Sequence, residues 1–365
     1  MRHYKVAEVV EEISERVNDP ANSKYDKFVG LEHYVSGDVV IKQYGSTENL
    51  ESSMKAFRAG DILIARRNVY LRRASVVLFD GVTSGDSIVL RARNPILAKL
   101  LPFVFNTDGF WDFADKYSDG TMSKRLSPKT LMKYEFDLPN EEEQEKLANI
   151  LWSLNDTREA YRLLLIQTDE MVKSQFIEMF SGVKVQSRLD ELCAFFGDGD
   201  WIESKDQSPS GIRLIQTGNV GNGEYKEKGE RARYISEETF QRLNCTEIKE
   251  GDVLISRLPD PIGRACILPA IPKSITAVDC TIVRFKEHIL PSYFVAMTKT
   301  PLYTAQIDAF TTGSTRKRVS RANLGSILVP VPEMSLQMEF VAIAQQSDKS
   351  KFNVQIAIYR DVQGM

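Results

Sequence analysis

The sequence predicts an α+β protein made of two similar mixed, mostly β domains, separated by two long antiparallel helices that form a coiled-coil-like spacer. Three observations carry this expectation. The chain repeats itself once at a period near 190 residues, each copy is rich in short β-patterned runs that end at a shared proline, and a long helical stripe follows that proline.

The repeat is colinear. Gly60-Asp61-Ile62-Leu63-Ile64-Ala65-Arg66 returns as Gly251-Asp252-Val253-Leu254-Ile255-Ser256-Arg257, and Arg73-Ala74 returns as Arg264-Ala265. After two extra residues in the second copy, Asp86, Arg91, Ile96 and Leu97 fall on Asp279, Arg284, Ile289 and Leu290. The register then holds, with Gly120, Lys124, Arg125, Ser127, Leu131, Pro139, Gln144 and Ile150 on Gly313, Lys317, Arg318, Ser320, Leu324, Pro332, Gln337 and Ile343. Solenoid units run to about 20 to 50 residues, so a repeat this long is a domain, and the pair is expected around a pseudo-two-fold axis.

Within the first copy, residues 39–41, 61–65, 74–79 and 87–90 are short apolar or alternating runs between Gly, Pro and Asn turns, which predicts strands. Residues 213–216, 253–256, 265–268 and 281–285 behave alike in the second. Helices are expected at 96–105 and 291–297. After Pro139, Asn140 supplies an N-cap oxygen and Glu141, Glu142 and Glu143 place acids at the positive end of a helix dipole. Leu147, Ile150, Leu154, Tyr161, Leu164, Thr168, Met171 and Gln175 then recur at spacings of three and four, with no Pro or Gly before Gly182. The rod is expected to be roughly 60 Å long at 1.5 Å per residue. Phe340, Ile343, Ser347, Val354 and Ile358 form a shorter, wetter stripe in the second copy, and the two helices are expected to pair antiparallel. The boundaries so drawn are 1–139 and 184–332 for the domains, and 140–183 and 333–365 for the helices.

Composition narrows the class. With 365 residues, 42% hydrophobic content and a formal net charge of −3, the chain is ordinary globular material sized for two or three domains. The first thirteen residues, MRHYKVAEVVEEI, carry charges and no apolar h-region, so no signal peptide is expected. The most apolar stretch, 96–105, is far short of the roughly 20 residues a bilayer needs, and a cytoplasmic location is expected. Cys193, Cys245, Cys266 and Cys280 form no CxxC pair, which argues against zinc and disulfides, and no metal is expected. His3, His33 and His288 are the only histidines, so a histidine-based triad has few possible members.

The charge is segregated. Between residues 58 and 93, Arg58, Arg66, Arg67, Arg72, Arg73, Arg91 and Arg93 face only Asp61, Asp80 and Asp86. Between 311 and 325, Arg316, Lys317, Arg318 and Arg321 face no acid. Residues 140–180 are by contrast acidic. Basic domains on an acidic rod fit domains that touch phosphates and a rod that touches protein. Arginine suits bidentate contact with guanine, and lysine mostly neutralises phosphate. Gly120-Thr121-Met122-Ser123-Lys124-Arg125 and Gly313-Ser314-Thr315-Arg316-Lys317-Arg318 combine glycine, hydroxyls and cations suited to phosphate contact, or form basic turns before a strand. Tyr70, between two arginine pairs, is placed to stack or hydrogen-bond at a base edge.

Catalytic motifs are weak. Asn94-Pro95-Ile96-Leu97 lacks the second proline and the aromatic of a DNA methyltransferase tetrapeptide. Gly218-Asn219-Val220-Gly221-Asn222-Gly223 is glycine-rich but lies in a β-patterned region with no helix to receive a phosphate. Glu224-Tyr225-Lys226 and Glu247-Ile248-Lys249 match only a nuclease tripeptide. Asp198, Asp200 and Glu203 could hold a metal in a divergent DNA-cleaving or modifying enzyme, or form a polar loop. No catalytic residue is assigned. A tandem β-domain scaffold for protein or carbohydrate is the third possibility.

Two β-rich domains with basic loops, each followed by a long helix, resemble the specificity subunit of type I restriction-modification systems over the whole chain. Phe28-Val29-Gly30-Leu31-Glu32, Gly60-Asp61-Ile62-Leu63, Phe79-Asp80-Gly81-Val82-Thr83-Ser84-Gly85-Asp86, residues 120–126 and Leu138-Pro139 with Gln144 carry the likeness in the first half. Gln216-Thr217-Gly218-Asn219-Val220, Gly251-Asp252-Val253-Leu254, residues 313–319 and Val331-Pro332 carry it in the second. The resemblance implies two target recognition domains, each reading half of a gapped duplex DNA sequence, with the helices setting the gap. It implies two docked methyltransferase subunits that hold S-adenosylmethionine and flip the adenine, ATP-driven restriction subunits able to join them, and no cofactor or catalysis on this chain. The candidate DNA contacts are Arg66, Arg67, Tyr70, Arg72, Arg73, Lys124, Arg125, Thr217, Asn219, Arg257, Arg264, Arg316, Lys317, Arg318 and Arg321. The candidate partner-binding residues are Leu147, Ile150, Leu154, Tyr161, Leu164, Met171, Phe340, Ile343, Val354 and Ile358.

Overall fold

The structure is a computed structural model that describes residues 1–120, 123–259, 261–313 and 317–363, the side chains of 352–355 and 357–363 excepted. The chain divides into two units, Met1–Arg158 and Glu159–Met365.

In the first unit, a four-stranded antiparallel sheet runs in the order Val10–Ile13, Ser87–Ala92, Ile62–Ala65, Ala74–Val76. The strand Ile62–Ala65 is buried on both faces, which explains its unbroken apolar run. Side chains alternate along a strand, so Ile62 and Ile64 join Leu100, Leu101, Phe105 and Phe110 in one core, while Leu63 and Ala65 join Val29, Phe57 and Val77 in another. A second sheet, in the order Arg16–Val17, Met54–Phe57, Gly81–Thr83, Lys27–Val29, Gly45–Ser46, contains one parallel pair. Arg2–Lys5 pairs with Glu135–Leu138.

The second unit repeats the first sheet in the same order: Cys193–Asp198, Cys280–Phe285, Val253–Ser256, Ala265–Ile267. Val253 and Ile255 again face one core and Leu254 the other. Its second sheet also carries one parallel pair, Ile212–Ile215 with Ser274–Thr276, and Gln186–Arg188 pairs with Leu328–Pro330.

The same side chains tie the same backbone in both units. Asp61 and Asp252 are almost fully buried, and each takes two bonds from an arginine on the adjacent strand. Arg91 donates Nε and Nη2 to Asp61 at 2.7 and 2.8 Å; Arg284 donates the same pair to Asp252 at 2.7 and 2.6 Å. Those carboxylates hold both guanidinium groups above their ordinary range. The carboxylates also accept from the backbone N–H of Arg58 and Lys249, each at 2.8 Å. Gln144 and Gln337 are buried after the shared proline and donate Nε2 to the Pro139 and Pro332 carbonyls at 2.9 and 3.0 Å. Ser127 and Ser320 cap the short helices Pro128–Leu131 and Arg321–Gly325.

Most of the expected elements are present. Helices span Pro95–Val104 and Pro291–Met297. The run at 39–41 is a correction: it meets Val76 through a single parallel bridge, because the strand beside it ends there. The helices Asp108–Tyr117 and Pro301–Phe310 were not anticipated from sequence.

The long helices are Glu141–Phe180 and Met334–Gln363. Asn140 Oδ1 accepts the Glu143 N–H at 3.0 Å, as an N-cap should. The apolar stripe of the first helix is not one buried seam. Leu147, Leu151 and Trp152 lie half-buried against the first core, Leu154 and Tyr161 are half-buried, and Ile150, Leu164 and Met171 are exposed. A heptad pattern drifts about 20° per repeat around a straight helix, so no single face stays covered over 40 residues. Within the second unit, the Phe340 ring meets Phe176 and Phe180 at 5.3 and 5.5 Å, and Lys351 Nζ lies 2.7 Å from Asp169, an antiparallel progression. Ile343 is half-buried there. The side chains of Val354 and Ile358 lie outside the described residues. No described helix is long and apolar enough to cross a membrane.

Cys193, Cys245, Cys266 and Cys280 are free and buried. Burial pushes the thiols of Cys193 and Cys266 up to about 12 and those of Cys245 and Cys280 to about 11.

Candidate nucleic-acid interface

Three segments of the first unit meet at one end of the strand Ile62–Ala65. The Arg66 N–H donates to the Asp86 carbonyl at 2.9 Å and the Leu126 N–H to the Arg66 carbonyl at 2.8 Å. Arg67 and Arg125 face each other through an antiparallel bridge, and the Asn68 N–H reaches the Lys124 carbonyl at 2.9 Å. Asn68 and Arg72 adopt left-handed backbone, with φ of 54° and 48°, at the two ends of the turn that carries Tyr70. Residues far apart in sequence are thereby clustered: Arg66, Arg67, Lys124 and Arg125, with an exposed Tyr70 beside them.

Their charges are engaged to different degrees. Arg67 and Arg125, each about half exposed, both contact the Asp86 carboxylate, Arg67 at 3.3 Å. Lys124 Nζ lies 2.7 Å from Asp115, and Arg72 2.5 Å from Asp108. Arg66 has a buried Nε without a partner, and burial with the nearby Arg125 cation holds its guanidinium below the ordinary value. Arg73 is half-buried, donating to the carbonyls of Leu31 and Arg67, each at 3.0 Å. A cavity of about 310 Å³ opens beside Tyr70 and Arg72, with Trp111 and Asp115 in its lining.

The second unit builds the same junction. The Arg257 N–H donates to the Asp279 carbonyl at 2.9 Å, the Val319 N–H to the Arg257 carbonyl at 3.3 Å, and Thr312 bridges Arg318. Its side chains go elsewhere. Arg257 is buried, donating Nη2 to the Val278 carbonyl at 2.7 Å and lying 3.4 Å from Asp198. Arg264 is buried among the carbonyls of Val220, Leu258, Pro261 and Thr217, at 2.7 to 2.9 Å. Asn219 is buried too, accepting from the Gln216 N–H at 3.0 Å and donating to the Lys226 carbonyl at 2.8 Å. Thr217 is half-buried, whereas Lys317, Arg318 and Arg321 are exposed; Arg316 lies outside the described residues.

As expectations of surface contacts, Arg257, Arg264 and Asn219 are therefore corrected, whereas Arg73 stays half-buried. Arginine offers five donors, and backbone carbonyls can absorb them as readily as phosphate. Asp198, Asp200 and Glu203 do not converge. Asp198 faces Arg257 and Arg321, Asp200 accepts the Thr246 N–H at 3.0 Å, and Glu203 pairs with Lys205. Among the described residues, no three His, Cys, Asp or Glu are grouped as metal ligands. The roles of Asp86 and Asp198 were missed from sequence, because nothing local marks an acid that sits between two distant arginines.

Fold and site together define a protein of two like units, each with a basic junction at the end of its central strand. Residues 182–358 match the family model of the type I restriction modification DNA specificity domain. A chain solved in work on complex assembly and conformational transition of the type I R-M system is similar over 99% of this chain and 94% of its own, at 18% identity and TM-score 0.56. The type I restriction-modification S subunit from M. genitalium is similar over 99% and 92%, at 13% identity and TM-score 0.54. The HsdS subunit from Thermoanaerobacter tengcongensis aligns over 98% and 91%, at 18% identity and TM-score 0.41. No curated protein matches the chain. The second half of the chain thus carries the likeness to the type I restriction modification DNA specificity domain, and the solved structures share the fold of the whole chain.

Proposed function

We propose that this chain is the non-catalytic reader of a bipartite duplex DNA target, each unit reading one half across an unread gap. The domains are 1–139 and 184–332, and the spacers 140–183 and 333–365. The observation that carries this reading is the recurrence of one three-segment junction, Arg66 with Asp86 and Leu126, Arg257 with Asp279 and Val319, each bordered by exposed cations. Arg66, Arg67, Tyr70, Arg72, Lys124 and Arg125 contact one half-site. Lys317, Arg318 and Arg321, with Arg316 beside them in sequence, contact the other, together with the half-buried Thr217.

The long helices dock two methyltransferase subunits, which hold S-adenosylmethionine, and ATP-dependent restriction subunits join that complex. Support comes from large apolar side chains left exposed on the first long helix, among them Ile150, Leu163, Leu164, Ile166 and Met171. A helix of 40 residues also exceeds the roughly 34 Å of one DNA turn.

Selection from a random duplex library, with the chain co-purified with the methyltransferase encoded beside it, tests the proposal. A two-part motif with a fixed gap is expected. Recovery of no motif with binding controls intact would make the units scaffolds for another partner.

A further inference from the structure

We propose that Asp86 in the first unit and Asp198 in the second occupy, in the free protein, the place that DNA phosphate takes on binding. They thereby hold down non-specific affinity and set the contrast between target and random DNA. This rests on the DNA-reading function above and assigns it two residues that limit, rather than create, affinity.

In each unit one acid sits between two arginines at the basic junction, both half-exposed in the first unit and one of them, Arg257, buried in the second. Asp86, its side chain 23% exposed, faces Arg67 and Arg125, which are 49% and 47% exposed. Asp198, 27% exposed, faces Arg257 at 3.4 Å and the exposed Arg321 at 3.6 Å. In each case one carboxylate is more covered than the outermost cation it serves, so the anion is part of the surface and the cation head reaches past it to solvent.

The acids come from non-equivalent positions. Asp86 precedes the strand Ser87–Ala92, and its repeat equivalent is Asp279; Asp198 instead ends the strand Cys193–Asp198. A carboxylate needed only to hold the common scaffold would sit at the common position, as Asp61 and Asp252 do. Two origins for one charge pattern point to the pattern itself as the useful thing.

The physical consequence follows from ion exchange at an arginine. A guanidinium already paired with a carboxylate gains less from a phosphate than a free one, and the displaced carboxylate repels the incoming backbone. Non-specific binding consists almost wholly of phosphate contacts and bears this cost in full. Specific binding adds base-edge contacts that offset it. The acids therefore lower both affinities but lower the non-specific one more.

The test compares full-length wild type, Asp86→Asn, Asp198→Asn and a control, Glu51→Gln, which removes one charge from an exposed site of the first unit. Each is titrated with a mixed-sequence duplex and with the selected target across a salt series, and its melting is followed in parallel. Asp86→Asn and Asp198→Asn are each expected to tighten mixed-sequence binding about threefold to tenfold, with a salt slope steeper by about 0.9 for each phosphate gained. Target affinity should rise less. Binding by wild type without a gain in either variant, or with the same gain in Glu51→Gln, overturns the inference and leaves the DNA reading standing. Absence of binding by every form, wild type included, defeats the DNA reading and the inference together. If one variant does not fold, the other, in the other unit, decides.

Discussion

The two units share a backbone plan and differ in where their arginines point. At one repeat position Arg66 keeps a partly exposed head, while Arg257 is buried against the Val278 carbonyl. At another, Arg73 binds two carbonyls and Arg264 four. By contrast, the Asp61–Arg91 and Asp252–Arg284 pairs, the buried Gln144 and Gln337, and the Ser127 and Ser320 caps agree nearly atom for atom. The groups that close the fold thus recur, and those bordering the basic loops are redistributed. That is the division which the proposed reading of two different half-sites calls for.

The sharpest test of this contrast is Arg264→Ala. It leaves four buried carbonyls without their donor and is expected to cost more than about 3 kcal/mol in the second unit. Arg73→Ala should cost about half as much in the first. Equal losses in denaturant titrations would remove the claimed difference between the units. Next come Asp61→Asn and Asp252→Asn, expected to lower stability by about 3 kcal/mol each, since both strip a buried, doubly bonded arginine partner. A discrepancy much above 1 kcal/mol between them would show the two clamps to be unequal.

Smaller effects bear on the surfaces. Arg67→Ala combined with Arg125→Ala should weaken duplex binding about tenfold and flatten the salt slope by about 0.9 per lost phosphate contact. Lys317→Ala with Arg318→Ala should do the same at the other half-site, and unchanged slopes in both double variants would take these loops out of the interface. Least of all, Leu164→Ser or Met171→Ser should change the stability of the isolated chain by no more than about 0.5 kcal/mol. Each should nonetheless reduce co-elution with the methyltransferase on size exclusion. Intact co-elution of both would move docking off this face.

Much of this was legible in the sequence because the repeat gave each element a second witness. The strands Ile62–Ala65 and Val253–Ser256 could be placed from apolar runs seen twice, and Asn140 marked the start of the long helix. The helix Asp108–Tyr117 was harder, since Asp108, Gly109 and Asp112 interrupt an aromatic-rich segment whose burial of Phe110 and Trp111 depends on distant partners. The fate of individual arginines was not legible at all. Whether a guanidinium meets water or the Thr217 carbonyl depends on a backbone that arrives from 47 residues away. The acids at Asp86 and Asp198 were hidden for the same reason.

The four buried thiols have a practical consequence. All lie between residues 193 and 280, inside Glu159–Met365, and Met1–Arg158 contains none. Alkylation requires a thiolate and access, both of which the folded second unit withholds. Labelling rates in the native protein therefore act as a clock for the opening of that unit alone, silent to any motion of the first. Slowing of the clock when duplex is added would report half-site occupancy without a probe having been engineered into the chain.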